Sequence, residues 1–163
     1  MTTYYQLHDS PTGELLLLSN GCALTALHMT AGKYVPAMND DWVRDERLSV
    51  LIQTKRELDA YFLGKLRTFT MPLAPLGTDF QKRAWIALTK IPYGETRSYE
   101  QLAIAVGDKK AVRAVGRTNG LNRIAIVIPC HRVVNKSGAL GGYGGGLRRK
   151  QFLLDLERSA QPT

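Results

Sequence analysis

Three short apolar runs bounded by turn residues open the chain, a pattern typical of β-strands. They span residues 4–7, 14–19 and 22–29, and Asn20-Gly21 separates the last two. Asn-Gly between two apolar runs is a strong signal for a hairpin. The first thirty residues are therefore predicted to form a small antiparallel sheet.

A helical period follows the predicted sheet. Apolar residues recur three or four positions apart over residues 44–63, and Gly64 ends the pattern. Residues 65–76 contain two prolines and no helical period, which is typical of a linker. We therefore expect a strand-and-helix domain over residues 1–76 and a second domain over residues 77–163.

Signals for helices dominate the second half. Thr78 and Ser98 are each followed three residues later by Gln, the pattern of a capping box that opens a helix. The second box predicts a short helix over residues 99–106, and another helix is predicted over residues 111–119. Two short helices joined by a tight turn have the dimensions of a helix-turn-helix, although ordinary helix pairs have the same dimensions.

Positive charge is concentrated in this second half. The net charge of the chain is +8; residues 1–76 hold seven Lys/Arg and eight Asp/Glu, whereas residues 77–163 hold 15 and six. This asymmetry favours a polyanionic partner for the second half only, with an evenly basic surface that has no partner as the alternative. The near-neutral first half is expected to support the second rather than to contact this partner.

The second helix of the predicted pair carries side chains suited to a polyanionic partner. Arg113 and Arg117 lie four positions apart and so share one exposed face. Ala114 and Gly116 are small enough to let the helix approach another backbone closely. A solvated basic face is the competing interpretation.

A buried apolar run, Ile124–Ile128, leads directly to Cys130, His131 and Arg132. A thiol with an unperturbed pKa near 8.5 is only about 3% thiolate at pH 7, so a nucleophilic cysteine needs a base or a positive field. His131 and Arg132 could supply either one. Neighbouring side chains usually diverge, so the proton would travel through a water. An inert core thiol is the alternative, and we assign it to Cys22.

Glu157 falls between two leucines on the wheel of the last helix, which predicts a carboxylate in apolar surroundings. A buried carboxylate needs a donor, and His131 is the attractive one, giving a relay from Glu157 through His131 to Cys130. The alternative is a glutamate at the protein surface, paired with Arg158 or Lys150.

Residues 141–146 hold five glycines around Tyr143 and precede a predicted helix. They fit neither the phosphate-binding nor the dinucleotide-binding glycine motif, so no nucleotide cofactor is predicted. The loop is either a flexible linker or a pocket wall whose backbone groups face a ligand beside Tyr143. No metal site is predicted, because the scattered possible ligands lack paired spacing: His8, Cys22 and His28.

Several motifs, in this order and spacing, resemble those of the O6-alkylguanine-DNA alkyltransferases. They are Arg113-Ala114-Val115-Gly116, Asn122, Pro129-Cys130-His131-Arg132-Val133, Gly142-Tyr143-x-Gly145-Gly146 and Leu153-Leu154-x-x-Glu157. The resemblance implies an α/β protein with an N-terminal antiparallel β-sheet and helix of ribonuclease-H-like type. It implies a C-terminal all-α helix-turn-helix domain, similar to a winged helix, that carries the active site.

The resemblance implies DNA repair by direct reversal of damage. Cys130 would take the alkyl group, such as methyl, from O6 of a flipped guanine or from O4 of thymine in double-stranded DNA. A thioether does not hydrolyse, so each molecule would act once, without a cofactor. The expected protein is a monomer in the cytoplasm with no membrane association.

The resemblance also assigns the roles around the thiol. Glu157, His131 and a water would generate the thiolate, and Asn122 would order the loop behind it. Tyr143 would stabilise the leaving guanine oxygen, and Arg132 would be structural. One departure is Arg123, where the family usually has a proline; the loop loses a fixed φ angle there.

A second group of residues would bind the nucleotide. Tyr99 would rotate it out of the duplex, and Arg113 would fill the gap, with its helix in the minor groove. The carbonyl groups of Cys130 and Val133 and the amide of Gly144 would contact the guanine edge. The remaining expected DNA contacts are Ala114, Gly116 and Arg117.

Two other classes of function compete with this one. A non-enzymatic damage sensor would share the fold. Related proteins of that kind lack the reactive cysteine, whereas Cys130 is present here. A cysteine hydrolase would turn over through an ester or thioester, and nothing in the chain suggests an acyl substrate.

Overall fold

A computed structural model describes residues 1–160 of the chain. The first half forms a four-stranded sheet with the spatial order β3-β2-β1-β4, whose strands are β1 (Tyr4–Ser10), β2 (Gly13–Ser19), β3 (Leu24–Met29) and β4 (Val43–Arg44). β1, β2 and β3 form the expected antiparallel meander, with pairs from Tyr4↔Ser19 to Ser10↔Gly13. β4 pairs with β1 in parallel, so the sheet as a whole is mixed.

Helix α1 (Ser49–Phe62) packs against this sheet. The expectation that the helix begins at residue 44 is wrong, because Val43 and Arg44 pair with β1 instead. The side chain of Asp45 accepts a hydrogen bond from the amide of Arg47, which forms a turn before the helix. Gly64, at φ +74°, ends the helical segment as expected.

Cys22 is exposed, so its assignment as a core thiol is wrong. It lies in the turn before β3, where its amide and that of Ala23 donate to the side chain of Asn20. The turn takes up four residues rather than the two of a tight hairpin, and this displaces Cys22 from the strand.

The segment predicted as a linker is part of the first half. Backbone hydrogen bonds join Leu24 of β3 to Pro72 and Ala74. The carboxylate of Glu57 in α1 accepts hydrogen bonds from the amide and the hydroxyl of Thr70. Residues 72–74 therefore lie along the edge strand β3 and Thr70 is held by α1, whereas the division of the chain after residue 76 stays a prediction.

The second half is mainly helical. Its helices are α2 (Asp79–Thr89), α3 (Tyr99–Val106), α4 (Val112–Gly120) and α5 (Leu147–Ser159). Both predicted capping boxes are present, and Gly107 ends α3 at φ +105°. α3 and α4 form the helix-turn-helix, with a 3₁₀ turn over Lys109–Ala111 between them. A two-stranded parallel sheet, β5 (Arg97–Ser98) and β6 (Val133–Val134), was not predicted.

One apolar core runs through both halves, from β2 and α1 to α2, α4 and α5. The apolar run Ile124–Ile128 is buried apart from a partly exposed Ala125, but it is not a regular strand, and Ile126 has φ +71°. Leu27 of β3 exchanges backbone hydrogen bonds with Arg123 and Ala125. The sheet edge thus anchors the run that leads to Cys130. No helix within residues 1–160 has the length and apolar character to cross a membrane.

Candidate active site

Cys130 begins a one-turn 3₁₀ helix, Cys130–Arg132, between the buried apolar run and β6. The residue is 5% exposed and lines a cavity of about 160 Å³. Tyr143 and Gly144 of the glycine loop line the same cavity. The thiol predicted to be reactive therefore lies at the edge of the apolar core, where the core meets the cavity.

Glu157 of α5 is fully buried and accepts five hydrogen bonds. Its Oε2 accepts from His131 Nε2 at 2.7 Å, from Arg132 Nη2 at 3.0 Å and from Tyr61 Oη at 2.6 Å. Its Oε1 accepts from Arg132 Nε at 2.8 Å and from the amide of Gly94 at 3.2 Å. The predicted contact with His131 is present, and the alternative of a surface glutamate paired with Arg158 or Lys150 is wrong.

These donors fix the protonation states of Glu157 and His131. Burial alone would raise the pKa of Glu157, but the hydrogen bonds and charges of His131 and Arg132 outweigh it and hold this pKa well below its usual range. Burial lowers the pKa of His131 despite Glu157. A carboxylate without a proton can only accept, so His131 Nε2 carries the hydrogen and Nδ1 is the basic nitrogen. Nδ1 has no hydrogen-bond partner among residues 1–160.

Burial raises the pKa of the Cys130 thiol, while the side chain of Asn122 and the charge of Lys150 oppose that rise. The thiol therefore depends on a base to form the thiolate, and His131 Nδ1 is the neighbouring basic nitrogen.

Lys150 is a buried cation beneath the glycine loop. Its Nζ donates to the carbonyl oxygens of Val133 at 2.6 Å, Leu140 at 2.5 Å and Gly142 at 3.1 Å. Burial lowers the pKa of Lys150 to about 8. Lys150 thus holds the loop against β6. Residues 141–146 are therefore a pocket wall rather than a flexible linker.

Asn122 holds the backbone of the apolar run. Its Nδ2 donates to the carbonyls of Ile124 and Ile128, and its Oδ1 accepts from the amide of Ile124. Arg123, where the resembling family usually has proline, lines the cavity, and its carbonyl oxygen accepts a hydrogen bond from the amide of Leu27. Side-chain and sheet-edge hydrogen bonds therefore order this loop without the ring of a proline.

The cavity opens toward a wider groove of about 470 Å³ on the helix-turn-helix side. Tyr99 at the start of α3 and Gly116 of α4 line this groove. The exposed residues of α4 include the two predicted basic DNA contacts and one small one: Arg113, Ala114 and Arg117. The groove joins the predicted DNA face to the wall that holds Cys130.

Most of the predicted site residues line this cavity or its groove, or lie on α4. His131, Val133 and Glu157 do not line it: the first two follow Cys130 in the chain, and Glu157 lies behind them on α5, hydrogen-bonded to His131. Three residues that the sequence analysis gave no such role also belong to the site: Tyr61, Asn119 and Lys150. No local pattern identifies the first two, since Tyr61 is 96 positions from its partner Glu157. A basic residue on the buried side of α5 was the available signal for Lys150.

No cluster of three or more possible metal ligands occurs among residues 1–160. Of the three scattered residues considered, His8 instead bonds Asp59, with 2.7 Å between Nε2 and Oδ1.

Comparisons with known proteins agree with this architecture. Residues 3–75 match the ribonuclease-like domain of 6-O-methylguanine DNA methyltransferase, and residues 79–159 match the DNA binding domain of the same family. The chain therefore belongs to the 6-O-methylguanine DNA methyltransferase family.

Individual relatives are similar over nearly their whole length. The methylated-DNA–protein-cysteine methyltransferase of Methanosarcina barkeri is 47% identical over 156 residues, 96% of this chain and 98% of the relative. That of Mycobacterium tuberculosis is 48% identical over 160 residues, 98% and 95% of the two chains. The solved structure of Mycobacterium tuberculosis OGT in complex with DNA covers 98% of this chain and 95% of its own, with a TM-score of 0.89 and 48% identity.

Proposed function

We propose that this protein repairs alkylated DNA by transferring the alkyl group from O6 of guanine to its own Cys130. The observation that carries the proposal is the cavity wall, where a buried thiol lies next to the hydrogen-bonded His131–Glu157 pair. The names of the relatives support the same reaction class, because they are methylated-DNA–protein-cysteine methyltransferases.

The reaction begins with a proton transfer. The Sγ–H proton of Cys130 passes through a bridging water to Nδ1 of His131, and the resulting imidazolium is stabilised by the Glu157 carboxylate. The thiolate then attacks the alkyl carbon. An S–C bond forms, the C–O6 bond breaks, and its electron pair stays with the guanine oxygen.

Tyr143 stabilises the charge that develops on that oxygen. Burial raises the pKa of Tyr143 well above its usual value, so the hydroxyl keeps its hydrogen and donates it. Its oxygen is buried without a hydrogen-bond partner among residues 1–160, so the hydroxyl is available to a ligand. The base leaves as guanine after it takes up a proton.

The partner is double-stranded DNA containing O6-alkylguanine. α4 enters the minor groove, where Arg113 fills the gap left by the flipped nucleotide and Arg117 adds a phosphate contact. Tyr99 holds the nucleotide in the groove between α3 and the glycine loop. The amide of Gly144 and the carbonyls of Cys130 and Val133 contact the base.

One molecule removes one alkyl group. The S-alkylcysteine is a thioether, which water does not cleave under physiological conditions, and the other cysteine, Cys22, is exposed in a turn outside the cavity. A single chain supplies all reacting groups, so the protein acts as a monomer. The cytoplasm suits it, because a reducing compartment keeps both cysteines as thiols.

Intact-mass measurement after incubation with a duplex carrying one O6-methylguanine tests the proposal. We expect one methyl group per molecule, also in Cys22→Ser, and no gain in Cys130→Ser. Cys22→Ser is the matched control, because it removes the exposed thiol by the same chemical change. Tight binding of the lesion without a mass gain in the wild type would instead indicate a damage sensor.

A further inference from the structure

Asn119, near the end of α4, has a buried oxygen that no group of residues 1–160 satisfies. The residue is 5% exposed, and its Nδ2 donates to the carbonyl oxygen of Cys130 at 3.3 Å. A carbonyl oxygen only accepts, so this contact fixes which end of the amide is nitrogen. Oδ1 is then an acceptor without a hydrogen-bond partner among residues 1–160. Buried polar atoms of this kind are uncommon in folded proteins.

The position of Asn119 relates this acceptor to the reacting groups. Asn119 lines both the cavity that holds Cys130 and the groove that leads to it. Two other acceptors of the site are already engaged: the carbonyl of Cys130 by Asn119 itself and the carbonyl of Val133 by Lys150. Asn119 Oδ1 therefore has more free accepting capacity than either of them.

The chemistry of the proposed substrate supplies the donor. Alkylation at O6 leaves N1 of guanine without a hydrogen, so the 2-amino group carries the only N–H donors of the base. An O4-alkylated thymine and an O6-alkylated hypoxanthine have no such group.

We propose that Asn119 is a specificity-determining residue that accepts a hydrogen bond from the 2-amino group of the flipped O6-alkylguanine. This inference rests on the proposed function. It adds that the site recognises the base by its 2-amino group. Alkylated bases without the amine leave Oδ1 buried and unsatisfied, which disfavours their binding.

Single-turnover methyl transfer to the protein tests this role with two duplexes that differ only in the amine, one with O6-methylguanine and one with O6-methylhypoxanthine. We expect the wild type to prefer the guanine duplex by about tenfold, the effect of one buried hydrogen bond. In Asn119→Leu the preference should fall several-fold, because the rate on the guanine duplex drops while the rate on the hypoxanthine duplex changes little. A role limited to holding the Cys130 carbonyl would lower both rates together.

Asn135→Leu is the matched control, because Asn135 is exposed at the groove but does not line the cavity. It should keep the preference of the wild type. Asn119→Ala, which adds no bulk, replaces the leucine variant if that variant does not fold in a thermal melt. An unchanged preference in a folded Asn119 variant, or equal wild-type rates on the two duplexes, overturns the role of Asn119 alone. A wild type that transfers no methyl group from either duplex overturns the proposed function as well.

Discussion

The two sides of the site differ in how their buried polar atoms are satisfied. On the α5 side, the Glu157 carboxylate accepts five hydrogen bonds, and the groups that donate them come from both halves of the chain. On the cavity side, three buried polar atoms have no hydrogen-bond partner among residues 1–160: Asn119 Oδ1, His131 Nδ1 and Tyr143 Oη. His131 belongs to both sides, because its Nε2 donates to Glu157 and its Nδ1 is one of these three atoms.

This difference separates two tasks of one site. A carboxylate with five donors has a fixed charge and position, and it contributes to stability as well as to the orientation of His131. Unsatisfied atoms cost stability and are retained where a ligand completes them. We therefore expect substitutions on the α5 side to change the free energy of unfolding, and substitutions on the cavity side to change the rate of methyl transfer.

Glu157→Gln should have the largest effect, because it disrupts the satisfied side. The amide would leave the buried Arg132 without a counter-charge and would point a donor at other donors. We expect the free energy of unfolding to fall by about 3–5 kcal/mol in urea titrations. We expect the rate of methyl transfer to fall about 100-fold or more. Glu46→Gln, at a largely exposed glutamate, is the control; a Glu157→Gln protein as stable as this control would contradict the assignment.

Tyr143→Phe tests the cavity side and should lower the rate without lowering stability. Its hydroxyl is buried and has no hydrogen-bond partner among residues 1–160, so its removal should leave the free energy of unfolding unchanged or raise it by about 1 kcal/mol. Loss of a donor to the leaving oxygen should slow methyl transfer about 100-fold in single-turnover assays. Tyr4→Phe on β1 should change neither quantity. Unchanged transfer kinetics in Tyr143→Phe would remove this residue from the mechanism.

Tyr61→Phe should have the opposite signature and a smaller effect. The variant loses one of the five donors to Glu157, so we expect about 1–3 kcal/mol less stability from urea titrations. Four donors remain and keep the carboxylate ionised, so methyl transfer should stay within a few-fold of the wild-type rate. Tyr5→Phe, at a partly exposed tyrosine, is the stability control. A large loss of rate without a loss of stability would show that the two sides are not separable in this way.

Local signals explain what the sequence could predict. The boundaries of α3 were predicted to the residue, because a capping box and a terminal glycine act within one turn of the helix. The start of α1 was not, because β1 pairs with Val43 and Arg44, which lie more than thirty positions away. Cys22 was misplaced for a local reason: the side chain of Asn20 accepts from the amides of Cys22 and Ala23, so the turn takes up four residues where Asn-Gly alone predicts two.

The residues of the candidate site also differ in whether a local signal in the sequence identifies them. Cys130, His131 and Glu157 could be proposed from residue type, helical phase and resemblance. Tyr61 and Asn119 could not, because their functions depend on contacts that only the packing of separate elements creates. A tyrosine or an asparagine in a helix has no pattern that distinguishes it from an ordinary core or capping residue.

Lys150 can sharpen the comparison, because it lies on α5 but donates its three hydrogen bonds to β6 and to the segment that forms the cavity wall. Burial lowers its pKa to about 8 in the folded protein, below its value in the unfolded chain. Between pH 7 and pH 9 the folded protein then binds fewer protons at this amine than the unfolded chain does, so the free energy of unfolding rises with pH. The rise should be about 1 kcal/mol.

The measurement is urea unfolding at pH 7 and pH 9 in a Cys130→Ser background, because Cys130 and Lys150 shift each other's pKa. Lys150→Met in that background should lack the rise, whereas Lys90→Met, at an exposed lysine, should keep it. An equal pH dependence in both variants would mean that three carbonyl acceptors offset the loss of hydration. In that case Lys150 would resemble Glu157, because both would be buried charges whose hydrogen bonds offset the cost of burial. The two sides of the site would then differ only in the unsatisfied atoms that face the ligand.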